Sequence, residues 1–245
     1  MPRSARKHSE SGHYHVILRG VNRLEIFHDD EDRARFLDTL LRFAREDGIG
    51  IVAYCLMDNH VHLLLNAGDN LSVFIKQIAA SYVYYFNRKY DRVGHLFQER
   101  YRSEAVETDE YLLTAARYIL QNPQKAGICS ARDYPWSSWR DTASGTGPCI
   151  TQTLCDVVGN RQALLEFLET PASKDGFEAD NRPPVNDEDA HRLLCRISQT
   201  DHPTQIAEYP LKQRNDCIAR AKAAGLSVRQ IARLTGLDRN IVQRV

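Results

Sequence analysis

Two histidines, His60 and His62, stand one residue apart within the stretch Ile51 to Asn66. Side chains alternate faces along a strand, so the two imidazoles project together while Val61 turns away. Two imidazoles one pleat apart can share one cation. The same spacing also serves strand-end histidines that only hydrogen-bond locally, and the pattern alone does not choose. A second group lies in 109–123, where Tyr118 and Asn122 are four apart and Tyr111 and Tyr118 seven apart, so each pair shares a helix face. A helical tyrosine is ordinarily core with its hydroxyl at the rim. Tyr118 gains weight only in company with the histidine pair.

The elements that must position these residues follow from periodicity. Residues 13–22 read as a strand ending in a turn at Gly20, and 30–47 as a helix with Phe36, Leu37, Leu40, Leu41 and Ala44 on one side. Two apolar runs around Asp58-Asn59 make a strand pair with a tight turn, and the second strand opens with His60. A helix over 70–90 and an extended segment over 95–107 come next. A third helix is capped at Asp109 and closed by Asn122, because Pro123 follows. Strand, helix, strand, strand, helix, strand is the α+β, split βαβ or ferredoxin-like pattern with an antiparallel sheet. Its first and third strands are neighbours, which brings His13 and His15 beside His60 and His62. His13 reads as a polar tip on the exposed face; His15 is open between that role and support of the pair. Both tryptophans, Trp136 and Trp139, fall in 128–145, which reads as a hydrophobic cover across the sheet or third helix, and a short helix over 160–168 closes the domain.

The chain has 245 residues, a net charge of zero, 42% apolar and 26% charged residues, which fits one large or two small globular domains. No apolar run approaches the roughly 20 residues of a membrane span, and the basic N-terminus lacks the apolar segment of a secretory signal. Six cysteines without a Cys-x-x-Cys pair suit reduced thiols and a cytoplasmic location. The neutral total hides an asymmetry. Residues 170–186 carry Pro171, Gly176, Pro183 and Pro184 with acidic neighbours and read as a linker between a domain over 1–169 and a helical unit over 187–245. Within 222–245, five basic residues face one acid, a net of +4. The run from Ala223 to Val245 has the pattern of a helix-turn-helix: Ser227 caps one helix, Gly236 makes the turn and Asp238 caps the next. Arg229, Arg239, Asn240 and Gln243 are its candidate contacts to phosphates and base edges. A helical hairpin that binds protein or merely packs has the same pattern.

Met57-Asp58-Asn59-His60-Val61-His62-Leu63-Leu64, Arg117-Tyr118-Ile119-Leu120-Gln121-Asn122-Pro123 and Tyr134-Pro135-Trp136-Ser137-Ser138 together resemble the REP-associated tyrosine transposases, single-tyrosine members of the His-hydrophobic-His group. Arg19-Gly20-Val21-Asn22-Arg23 adds to the resemblance, which spans 13–140; Asp58 departs from it where the family often has proline. The resemblance implies a ferredoxin-like sheet and DNA strand cleavage and rejoining through a 5′-phosphotyrosine. It implies that Tyr118 is the nucleophile and that His60, His62 and Asn122 hold Mg²⁺ or Mn²⁺, with Gln121 the second choice to Asn122. It also implies a single-stranded or hairpin DNA partner touching Arg19, Asn22 and Arg23, and it allows a homodimer with Tyr118 acting in trans. The aromatic and basic run from Tyr82 to Tyr101 could hold splayed strands or be a solvated helix face. The helical unit would then bind duplex DNA. Two other readings stand beside this one: a DNA-binding regulator that uses only the helix-turn-helix, and a metal-dependent hydrolase in which water replaces the tyrosine.

Overall fold

The computed structural model describes residues 8–98, 100–171, 187–224, 226 and 228–245. The expected linker over 170–186 lies almost wholly outside the described residues, as does the Ser227 cap. The chain divides into two compact units, Met1–Ser173 and Lys174–Val245. No helix among the described residues is long and apolar enough to cross a membrane.

The first unit is built on a four-stranded antiparallel sheet in the order β2-β3-β1-β4, with β1 at His13–Arg19, β2 at Gly50–Met57, β3 at His60–Asn66 and β4 at Arg102–Ala105. The first and third strands are adjacent, as the split βαβ pattern requires. Alternation sorts the central strands cleanly. Tyr14, Val16 and Leu18 of β1 and Val61, Leu63 and Leu65 of β3 join Phe36, Leu40, Phe74, Ile75, Ile78, Tyr82 and Phe86 in one apolar core. The last seven come from α1 (Asp30–Asp47) and α2 (Leu71–Lys89), so both long helices cover one face. That leaves His15, Arg19, His60 and His62 on the other face. Burial of these large side chains, about 1.5–3 kcal/mol each, fixes the register: a one-residue slip of β3 would send both histidines into the core.

The α3 helix (Asp109–Leu120) packs against β2 and β3. Its cap is Thr108 rather than Asp109; the Thr108 hydroxyl accepts the Tyr111 N–H at 3.2 Å, and Asp109 and Glu110 instead sit in the first turn, where a negative charge suits the helix dipole. Tyr111 donates its hydroxyl proton to Glu104 at 2.8 Å and so ties the helix to β4. The helix stops at Leu120, and Asn122-Pro123 opens the single turn α4 (Asn122–Lys125). The extended segment over 95–107 is regular only at β4, although Phe97 bridges Gly20.

The Tyr134 to Ser138 segment is not a cover lying over the sheet. It runs along the outer edge of β2: Leu56 N–H donates to Trp136 O at 2.9 Å, Ser138 N–H to Tyr54 O at 3.0 Å, and Ser137 bridges Cys55. Unpaired backbone groups of an edge strand need partners, and this segment supplies them. The short helices α5 (Trp139–Ser144), α6 (Gln152–Val158) and α7 (Arg161–Glu169) follow, with α6 and α7 packed on α3.

The second unit is all helical: α8 (Asp187–Ser198), a 3-10 turn at Pro203–Glu208, α9 (Leu211–Ala223), α10 (Val228–Thr235) and α11 (Arg239–Arg244). Ala190, Leu194, Ile206, Ile218, Ile231 and Val242 form its core. Gly236, at φ 72°, makes the turn between α10 and α11, a conformation that costs most other residues. Asp238 then caps α11 by accepting the Asn240 N–H at 2.7 Å.

Candidate active site between the sheet and α3

Strands β2 and β3 are joined by the two-residue turn Asp58-Asn59, so His60 begins β3 at the sheet's end. In the β1–β3 register Arg19 pairs with His60 and Ile17 with His62, while His13 pairs with Asn66 at the opposite end. His13 therefore lies about 20 Å of strand from the Arg19 end and takes no part in the site. His15 does. Its Nε2 is 3.1 Å from His62 Nδ1, and both rings are buried. On the other histidine, Asn59 Oδ1 lies 2.7 Å from His60 Nδ1.

These two contacts set the chemistry of the pair. A proton on each Nδ1 satisfies both hydrogen bonds and leaves the Nε2 lone pairs of His60 and His62 directed outward. Both Nε2 atoms are buried and have no hydrogen-bond partner among the described residues. Burial is the main force lowering both affinities for protons, followed for His60 by Arg19 and for His62 by His60 itself. His60 falls to about 4 and His62 well below its ordinary range. Two neutral imidazoles with unspent lone pairs, each held by a hydrogen bond to its other nitrogen, fit a divalent ion well. Among the described residues no group of three His, Cys, Asp or Glu side chains completes such a site.

Tyr118 meets the pair from α3. Its ring stands edge-on to His62 at 5.6 Å between centroids and to His15 at 6.0 Å, and the residue is buried. Asn122, one turn on, donates from Nδ2 to the Tyr118 carbonyl at 2.9 Å, which leaves Oδ1 as the atom a cation would take. Gln121 is committed elsewhere: its Nε2 donates to the carbonyls of Leu168 at 2.6 Å and Thr170 at 2.9 Å. Arg117 also faces outward, over the Phe167 ring at 4.2 Å. One side of α3 thus packs on α7 while the Tyr118 side meets the sheet.

Lys125 was not among the residues singled out from the sequence. Its Nζ lies 4.2 Å from the centroid of the Tyr118 ring, a cation against a π face. The available signal was spacing: Lys125 follows Tyr118 by seven residues, two helical turns. Arg19-Gly20-Val21-Asn22-Arg23 borders the same end of the sheet. A Cβ on Gly20 would come within 2.0 Å of the Leu24 carbonyl oxygen, so only glycine lets the chain fold back there. Asn22 and Arg23 both adopt left-handed backbone, at φ 50° and 61°, and Asn22 is exposed. In the second unit Arg239, Asn240 and Gln243 are exposed on α11; Arg229 lies in α10, its side chain outside what the structure describes.

Residues 8–122 match the family model described as "Transposase IS200 like". Among solved structures, the chain is similar to a REP-associated tyrosine transposase bound to a REP hairpin, at 19% identity and a TM-score of 0.50, covering 60% of this chain and 89% of that one. It is also similar to "a putative transposase from Deinococcus radiodurans R1", at 20% identity and a TM-score of 0.34, covering 51% of this chain and 92% of that one. No curated protein matches the sequence. The stretch that matches the IS200-like transposase model carries His60, His62, Tyr118 and Asn122.

Proposed function

We infer that this protein cleaves and rejoins single-stranded or hairpin DNA through a covalent bond to Tyr118, in the manner of the REP-associated tyrosine transposases. The observation that carries the reading is the pair of unpartnered Nε2 atoms on His60 and His62 with the Tyr118 ring packed beside them. His60, His62 and Asn122 Oδ1 would hold Mg²⁺ or Mn²⁺, which when bound neutralises phosphate charge and orients the scissile bond. The Tyr118 oxygen attacks phosphorus, the bond from phosphorus to the 3′-oxygen breaks, and the phenol's proton ends on the departing 3′-hydroxyl. The product is a 5′-phosphotyrosine, and a DNA 3′-hydroxyl reverses the step with Tyr118 as leaving group. No bond energy is lost to water, so rejoining needs no ATP. Because Tyr118 meets His62 of its own chain, action in cis is favoured over exchange within a homodimer. Arg19, Asn22 and Arg23 border the site and would hold the strand, while Arg229, Arg239, Asn240 and Gln243 of the helical unit, read as a helix-turn-helix domain, would hold duplex.

Covalent trapping tests this. The protein is incubated with end-labelled single-stranded hairpins from DNA flanking its gene and Mn²⁺, then run on a denaturing gel. A shifted band that disappears in Tyr118→Phe and with EDTA supports the mechanism. Cleavage without an adduct would favour hydrolysis by water, and binding without cleavage would favour a regulator.

A further inference from the structure

A second concavity lies between α2 and the Arg19 end of β1, on the helix-covered face of the sheet. Its volume is about 340 Å³. Ile75 and Ala79 of α2 and the rings of Phe97 and Tyr101 line it, together with three cations: Arg19, Lys76 and Arg100. No carboxylate is among its described lining residues. Lys76 and Arg100 are exposed and make no ion pair among the described residues. Tyr101 is anchored to α2, its hydroxyl 3.1 Å from that of Ser72. Apolar and aromatic walls suit the flat face of a base, and cations at the rim suit the phosphates on either side of it.

The cavity lies on the α2 side of β1, the face opposite the one that carries His60 and His62, and shares Arg19 with the site already described. Gln98 N–H donates to the Arg19 carbonyl at 2.7 Å, and Arg19 is the register partner of His60. Arg19 both lines the cavity and places its charge near His60 and His62. Across three neighbouring strands at about 4.8 Å spacing the two places are offset by about 10 Å in the plane of the sheet, so a single strand passing around the sheet edge at 97–98 could serve both. We propose that this cavity takes one unpaired nucleotide of the DNA strand that Tyr118 cuts, its base held against Phe97 and Tyr101 and its phosphates by Arg19, Lys76 and Arg100. The assignment rests on the strand-cleavage reading of Tyr118.

A positional scan on the full-length protein tests it. Hairpins from DNA flanking the gene, each with a single-stranded arm, are made with one abasic site at every arm position in turn. Binding is read by fluorescence anisotropy in EDTA. One or two adjacent positions should weaken binding about 5- to 150-fold. Ala79→Trp, which fills the cavity, should weaken the intact arm equally and flatten the scan. Should that variant misfold, Lys76→Ala with Arg100→Ala keeps the test open, because both side chains are exposed: it should lower the salt slope of arm binding by about 1.4. 5-Iododeoxyuridine at the sensitive position should photocrosslink to Phe97 or Tyr101. A flat scan in the unaltered protein, a salt slope unchanged by the double variant, or crosslinks confined to other residues overturns the assignment. Adduct formation with Mn²⁺ is scored separately. An adduct with a flat scan removes the nucleotide site and leaves strand cleavage standing. A sensitive position that crosslinks to Phe97 or Tyr101 without any adduct keeps the site and removes the cleavage.

Discussion

Replacing His15 by leucine should weaken metal binding without touching any proposed ligand. His15 Nε2 is the partner of His62 Nδ1 at 3.1 Å in a wholly buried setting. When His62 offers Nε2 to a cation, its proton must sit on Nδ1, and in the leucine variant that N–H would face hydrocarbon. An unsatisfied buried donor costs about 1–3 kcal/mol. The metal-free protein escapes part of that cost by turning the ring or moving the proton, and the metal-bound form does not. At 1.4 kcal/mol per factor of ten, the loss in affinity is about 10- to 100-fold, the range seen when a hydrogen bond behind a metal-bound histidine is removed. Leucine fills most of the imidazole's volume, so the sheet should keep its packing. The assay is a Mn²⁺ titration followed by the electron paramagnetic resonance signal of the free ion, with thermal unfolding as the control for folding. His15→Gln, which restores an acceptor, should recover most of the affinity. A folded leucine variant that binds Mn²⁺ within about twofold of the unaltered protein would refute the reasoning.

Other outcomes follow from the same geometry. Tyr118→Phe should abolish the covalent adduct while single-strand binding and the unfolding temperature stay close to their starting values. Gly20→Ala should lower stability by about 1–3 kcal/mol, the usual cost of forcing a group into a filled space, and a denaturant melt reads this directly. Burial holds His15 at about 3 and His60 at about 4, below their ordinary value of 6.5. Between those limits the unfolded chain binds more protons than the folded one, so stability rises with pH there. In EDTA the unfolding temperature should therefore be level above pH 6.5 and fall as pH drops through 6 towards 4; His60→Asn should make that fall shallower. Arg239→Ala should reduce the salt slope of duplex binding by about one and leave adduct formation on isolated single-stranded hairpins unchanged.

Much of the site was legible because its signals are local. Alternation in β3 places His60 and His62 on one face whatever the rest of the chain does, and a four-residue step places Asn122, at the start of α4, one turn after Tyr118. The element order was equally local, resting on apolar periodicity and on Pro123 and the Asp58-Asn59 turn. What the sequence could not settle depended on contacts between elements distant in the chain. His15 and His13 are equivalent in β1 by type and face; only the antiparallel register, with Ile17 opposite His62, separates the one that reaches the pair from the one at the far end. Gln121 and Asn122 are adjacent amides, and the packing of α7 on α3 is what commits the first to backbone carbonyls. The Tyr134 to Ser138 segment follows the same logic, because its hydrogen bonds answer the open edge of β2, a strand some 80 residues earlier. Lys125 over Tyr118 and the cavity between α2 and the 97–101 segment are likewise products of assembly. The sequence by itself determined which residues share a face, since strand and helix geometry repeat every few residues. Tertiary structure decided which faces meet, since that depends on register, edge pairing and the burial of one helix against another.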